Sequence, residues 1–166
     1  MANRGPFRPA WREDVPRPGT YRTIFKYGLN QFEHPSDAWV EMFKAEFDMT
    51  DADFARPVAG GDDIVSLDRP PRMDPRHREA LARVVGPDNV ADDDYSRVKY
   101  GHGKSVDEDL ALRRGSAQDV PDLVVHPRHK ADVVEIVRYC SANKIAVVPY
   151  GAGSGCVLVR GPIVAG

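Results

Sequence analysis

The stretch that most constrains this 166-residue chain lies near its C-terminus. A short apolar run, Ile145-Ala146-Val147-Val148-Pro149, leads through Tyr150 into Gly151-Ala152-Gly153-Ser154-Gly155. A β-branched apolar run of this length predicts a buried strand. Glycine lets the backbone after it take positive φ and approach a ligand with no Cβ in the way. Successive N–H groups in such a turn form a concavity for anions, so the segment predicts a phosphate site. A plain turn between strands needs one or two glycines, whereas here there are three in five positions.

Three phosphate-binding patterns compete for this loop. The dinucleotide fingerprint requires glycine at the first, third and sixth positions, then an acidic residue about twenty positions on. Gly151 and Gly153 satisfy the first two, but Cys156 occupies the sixth, and the sequence given ends before the acid. The P-loop pattern has a decoy in Gly103-Lys104-Ser105, but Val98 stands where its first glycine belongs. Polar residues, not a buried strand, precede it. The third pattern is a flavin pyrophosphate loop.

Upstream signals set the architecture. Ser36 predicts the cap of a helix over about 37–47, with Trp39, Phe43 and Phe47 as a core-facing stripe beside Val40. Thr50 and Asp53 mark a short further turn. Residues 55–73, with Gly60-Gly61 and Pro70-Pro71, read as a linker. Asp74 caps a second helix with Pro75 in its first turn, Leu81, Val84 and Val85 inward and Gly86 at its end. The four acidic residues within 88–95 predict a solvated turn. Leu123-Val124-Val125 predicts a strand. Lys130 to Asn143 predicts an amphipathic helix with Val133, Ile136, Val137 and Cys140 on one face. With Ile145–Val148 these elements make a βαβ unit, hence parallel strands and a right-handed crossover.

The run Pro121-Asp122-Leu123-Val124-Val125-His126-Pro127, the helix that follows and Val147-Val148-Pro149-Tyr150-Gly151-Ala152-Gly153-Ser154-Gly155 together resemble the start of a flavin-binding domain. The family is that of vanillyl-alcohol-oxidase-like FAD oxidoreductases, with a PCMH-type FAD domain. The segment from Gly101-His102-Gly103-Lys104-Ser105 to Gly115 is similar to bacterial relatives of alkyldihydroxyacetonephosphate synthase. Glycolate and D-lactate dehydrogenases of the same superfamily share the glycine–alanine–glycine loop. Val84 to Val90 and Tyr100 match the lead-in helix and turn, so the resemblance covers roughly residues 74–156.

The resemblance implies FAD, with the pyrophosphate on Pro149, Tyr150, Gly151, Ala152, Gly153, Ser154, Gly155 and Cys156. Some relatives tether flavin through a loop histidine. None occurs from Lys130 to Gly166, so the FAD is expected to be non-covalent. Two departures stand out: Cys156-Val157 where relatives carry further glycine, and His129 where they carry a helix cap. The implied chemistry is oxidation of a hydroxy acid or alcohol by flavin, or, in the ether-lipid branch, a flavin–substrate adduct. The catalytic side chains of the family belong to a substrate domain not represented here.

The fold expectation is therefore α+β: an N-terminal helical extension followed by the first βαβ half of a truncated PCMH-type FAD domain. Its divisions are an extended Pro/Arg-rich arm at 1–35, a helical extension and linker at 36–73, a lead-in segment at 74–119 and the FAD domain from 120 to 166. The arm is either a solvated tail or a strap anchored by Phe7, Trp11 and Tyr21. An alternative reading is a non-catalytic fragment or split subunit that completes a flavin site only with a partner chain, a homodimer being one form. A small self-contained nucleotide-binding module is a third, for which only half a site is visible.

Composition narrows the classes further. A net charge of −2 gives no electrostatic case for nucleic acid. No apolar run approaches the roughly 20 residues of a membrane span, and the first residues lack a secretory core, so the expected location is cytoplasmic. Cys140 and Cys156 read as small buried hydrophobes. His126 and His129 straddle Pro127 at a strand end with no third ligand near, so no metal is expected. His102 and Lys104 are expected in a surface turn. No nucleophile–base pair or paired carboxylate is recognisable, and catalytic residues are left unassigned.

Overall fold

Helix α3, Pro75–Val85, begins where its local chemistry dictates. Asp74 accepts from the Arg76 N–H at 2.9 Å, Pro75 needs no amide partner in the first turn, and Gly86 follows the last turn at a φ of 91°. The computed structural model describes residues 17–24, 36–55, 60–103, 105–117 and 119–151. Within these, six helices and one two-stranded ladder are defined: α1 Asp37–Phe47, α2 Asp51–Ala55, α3, β1 Val90–Ala91, α4 Asp94–Gly101, α5 Val106–Arg113, β2 Val124–Val125 and α6 Lys130–Ala142. The fold is α+β and mostly helical.

Two apolar clusters hold these elements. Leu81 and Val85 of α3 pack with Val90, Ile136, Cys140 and Ile145. Burial raises the Cys140 thiol above its ordinary range, so it stays a neutral, inert hydrophobe there. The second cluster joins Tyr21, Ile24, Val65, Val98, Leu112 and Val120. Arg97 of α4 is 1% exposed and ties that helix to the segments at Arg69 and Pro121. Its Nε donates to the Pro121 carbonyl at 2.9 Å and its Nη1 to the Arg69 carbonyl at 3.2 Å, with Asp94 at 3.4 Å.

Several expectations are corrected. The acidic stretch 88–95 is not a solvated turn. Val90 is buried, Asn89 closes α3 by donating to the Val85 carbonyl at 2.8 Å, and Asp93 caps α4 through the Ser96 N–H. Asp93 and Asp94 start α4 and Asp92 accepts from Arg78 at 2.9 Å, roles that local composition alone does not distinguish from those of loop residues. Residues 60–67 do not hang free as a linker. Arg22 donates to the Gly61 carbonyl at 2.7 Å, Val65 to that of Gly19 at 2.9 Å, and the Tyr21 hydroxyl to that of Ser66 at 2.8 Å. Gly60, at a φ of 123°, lies so close to the Arg113 carbonyl that a Cβ there would clash with it.

Helix α1 has its predicted bounds and its Ser36 cap, but its aromatic stripe does not enter a core. Trp39, Phe43 and Phe47 stack on one another at 5.7 and 5.8 Å, yet Trp39 and Phe47 are 55% and 65% exposed and only Val40 is buried. Helix α6 is rotated from the expected face. Asp132, Ile136 and Cys140 are buried, whereas Val133 and Val137 are exposed. His129 makes no side-chain cap, as its chemistry suggests. Asp132 takes over that task, accepting from the Arg128 N–H at 3.0 Å and its Nε at 3.2 Å, while Arg128 reaches the Val84 carbonyl.

The parallel βαβ pairing is not what β2 makes. Its partner is β1, antiparallel, with Val90 opposite Val125 and Ala91 opposite Val124. The His126 N–H extends the contact to the Asn89 carbonyl. The crossover helix is present. After the buried Ile145, residues 146–150 take neither helix nor strand. Phe7, Trp11 and residues 152–166 lie outside the described residues, but Tyr21 is buried as an anchor would be.

Candidate functional site

The last turn of α4 carries the residues that meet the loop. Gly101 ends this helix because the chain runs against Val120–Pro121: a Cβ at Gly101 would sit 2.8 Å from the Pro121 Cδ. His102 then turns inward. It is buried, with Nδ1 3.2 Å from the Val98 carbonyl oxygen, so the expectation of a surface turn is wrong for it; Lys104 lies outside the described residues. The Gly103 N–H donates to Glu108 at 3.0 Å. Ser105 and Glu108 form a capping box that starts α5. The element before Gly103-Lys104-Ser105 is thus a helix and not the strand a P-loop needs.

Glu108 is held below the ordinary carboxylate range. Burial alone pushes it upward, but the Gly103 N–H, the Ser105 hydroxyl and N–H and the nearby His102 outweigh that.

Tyr100, one residue before Gly101, places its ring between two distant segments. It meets His126, just past β2, edge-on at 5.1 Å, and Tyr150 edge-on at 5.1 Å. Centroid separations of 4.5–7 Å in this geometry align the positive ring edge with the negative face. The Tyr150 hydroxyl lies 3.5 Å from the His102 carbonyl oxygen. Burial, then Tyr100 and Glu108, raises the Tyr150 phenol above its ordinary value, so it stays protonated at neutral pH. The Lys99 ammonium stands 5.5 Å from the Tyr100 ring centre.

Of the residues expected to hold a pyrophosphate, Pro149, Tyr150 and Gly151 are described; Ala152, Gly153, Ser154, Gly155 and Cys156 lie outside. Gly151 is exposed, and a Cβ built on it meets nothing within 4 Å. No packing within the described chain requires glycine there, and the space beside it suits a ligand's close approach. FAD therefore fits the described part of the loop. Among the described residues no three His, Cys, Asp or Glu side chains gather as metal ligands, and no helix is long and apolar enough to cross a membrane. His126 turns to Tyr100, while His129 sits 3.6 Å from Asp132.

Sequence reasoning placed Tyr100 in the lead-in segment but gave it no role, and assigned His126 only to a rejected metal pair. No periodicity links positions 100, 126 and 150, so only the folded chain brings the rings together.

Part of the chain is similar to known proteins. Residues 121–162 match the family described as "FAD binding domain". Alkyldihydroxyacetonephosphate synthase of Dictyostelium discoideum is 29% identical over 94 residues, which are 57% of this chain and 15% of that protein. Glycolate oxidase subunit GlcD of Bacillus subtilis is 29% identical over 77 residues, 46% of this chain and 14% of that one. Two solved structures of alkyldihydroxyacetonephosphate synthase superpose with TM-scores of 0.52 and 0.53 at 29% identity, covering 54% and 56% of this chain but 18% and 17% of theirs. The chain thus spans less than a fifth of the length of these relatives. The C-terminal part of the chain is thus similar to an FAD binding domain, and about half of the chain is similar to part of the alkyldihydroxyacetonephosphate synthases and of a glycolate oxidase subunit.

Proposed function

We propose that this chain supplies the opening part of the FAD site of a flavin-dependent oxidoreductase acting on a hydroxy acid, an alcohol or an ether-lipid precursor. Pro149, Tyr150, Gly151, Ala152, Gly153, Ser154, Gly155 and Cys156 run along the pyrophosphate, and the FAD is held without a covalent bond. The observation that carries this reading is the open space at Gly151, at the start of a glycine-rich loop within the matched family segment. Bound FAD supplies the redox chemistry. The residues of this chain bind it: loop amides and the Ser154 hydroxyl donate to phosphate oxygens, and the glycines admit them at close range. We place the enzyme in the cytoplasm, with its FAD-binding part beginning near residue 120 behind the lead-in segment 74–119.

A second reading is favoured by one specific observation. Val133, Val134 and Val137 on α6 and Val147 and Val148 before the loop are all exposed. Apolar surface of this kind is what a further domain or a partner chain covers. In that reading the flavin site forms only when the additional polypeptide, or a second copy, is present.

The test is to purify the 166-residue chain, desalt it and titrate it with FAD while following flavin absorbance and fluorescence. Stoichiometric binding by the chain alone supports the first reading. Binding that appears only with the neighbouring gene product supports the second. No binding under either condition overturns both.

A further inference from the structure

We infer that Tyr100, His126 and Tyr150 form a positioning clamp that sets the start of the FAD loop before the cofactor arrives. The inference rests on the FAD reading above and names residues that reading does not require. Three segments far apart in sequence converge here: the last turn of α4, the residue after β2, and the residue immediately before Gly151. The central ring, Tyr100, touches both others edge-on at 5.1 Å, with interplanar angles of 72° to His126 and 82° to Tyr150.

The clamp has a rigid base. His126 is anchored by its own N–H to the Asn89 carbonyl at 2.9 Å, next to the β1–β2 ladder. Tyr100 sits where α4 is pinned by the buried Val98 and Arg97 on one side and by the close approach of Gly101 to Pro121 on the other. Tyr150, in contrast, belongs to a stretch with no ladder of its own. Its described side-chain contacts are the Tyr100 ring and the His102 carbonyl. Among the described residues, what orients the backbone before Gly151 is therefore a side-chain contact and not a strand pairing. A loop ordered before binding loses less conformational freedom on taking up its ligand, which strengthens binding without any new contact to that ligand. Tyr100 and His126 are thus positioning residues; neither needs to touch the flavin.

The experiment compares the wild-type chain with Tyr100→Leu, Tyr100→Phe and Tyr150→Leu. Readouts are the FAD dissociation constant, the melting temperature and the NMR signals of the His126 ring protons, which lie against an aromatic neighbour only while the clamp is closed. Tyr100→Leu is expected to weaken FAD binding about tenfold and to shift the His126 signals, while Tyr100→Phe keeps the ring and restores both. Equal FAD affinity in Tyr100→Leu and wild type, with the protein folded, overturns the clamp and leaves the FAD reading standing. Failure of the wild type to bind FAD, alone or with its neighbouring gene product, overturns that reading and the clamp's role with it. If Tyr100→Leu does not fold, Tyr150→Leu removes the same contact from the loop side. Unchanged affinity in that variant also overturns the proposal.

Discussion

The two apolar clusters are made of different material. Leu81, Val85, Ile136 and Cys140 come from two regular helices that meet beside a short antiparallel ladder. Ile24, Val65 and Val120 come from irregular segments and Tyr21 from a single 3-10 turn, Tyr21–Thr23, while α-helices supply only Val98 and Leu112. In the first cluster the helical repeat places the apolar residues, so each element brings its face ready-made. In the second, backbone hydrogen bonds do that placing: Val65 to Gly19, Arg22 to Gly61 and Tyr21 to Asp63. The difference teaches that a chain can close a core with extended pieces, provided their polar groups find partners. Arg97 ties α4 to the segments at Arg69 and Pro121, and α4, which carries it, also carries Tyr100 to the loop.

Breaking that junction is expected to have the largest effect. Arg97→Met leaves the Pro121 and Arg69 carbonyls without their donor, at about 2 kcal/mol each and so about 4 kcal/mol in all. Hydrogen exchange by segment should then show residues 17–24 and 61–67 opening while α3 and α6 remain protected. An unchanged urea midpoint would mean that Arg97 does not tie these segments to α4. A smaller loss, about 3 kcal/mol each, is expected for Leu81→Ala and Leu112→Ala, since both side chains are at most 1% exposed. A markedly smaller cost for Leu112→Ala would show that the irregular cluster collapses around a cavity more readily than the helical one.

The smallest effect belongs to the α5 capping box. Ser105→Ala is expected to cost about 1 kcal/mol in urea unfolding. Its partner sets a pH signature. Glu108 has a folded-state value below its ordinary 4.5, so its contribution is complete above that pH and disappears as pH falls through the lowered value. Glu108→Gln should remove this part of the acid sensitivity, measured as stability against pH. A wild-type stability profile that stays flat through the same range would contradict the assignment.

What was legible in the sequence follows a physical line. Helix α3 announced itself through Asp74, Pro75 and Gly86, and α1 through Ser36, because caps act over three or four residues. Helix α5 has as good a box in Ser105 and Glu108, but it lies directly behind a glycine and lysine that imitate a phosphate motif. The α1 stripe shows the opposite failure. Its spacing was read correctly, but spacing states only that residues share a face, not that anything covers it. On α6 the inner face carries the buried Asp132, tied to Arg128, while Val133 lies exposed, an order that apolar spacing does not reveal.

For the loop the division is sharp. The sequence by itself determined that a glycine-rich turn follows an apolar run, that flavin is the cofactor it fits, and that no histidine stands there to tether one. These are properties of neighbouring residues, carried by backbone freedom and side-chain chemistry. Only the tertiary structure decided that β2 pairs with Val90–Ala91 and that Tyr100 leans on both Tyr150 and His126. Contacts between residues so far apart in the chain leave no periodic trace, since they depend on how whole elements pack and not on what each residue prefers.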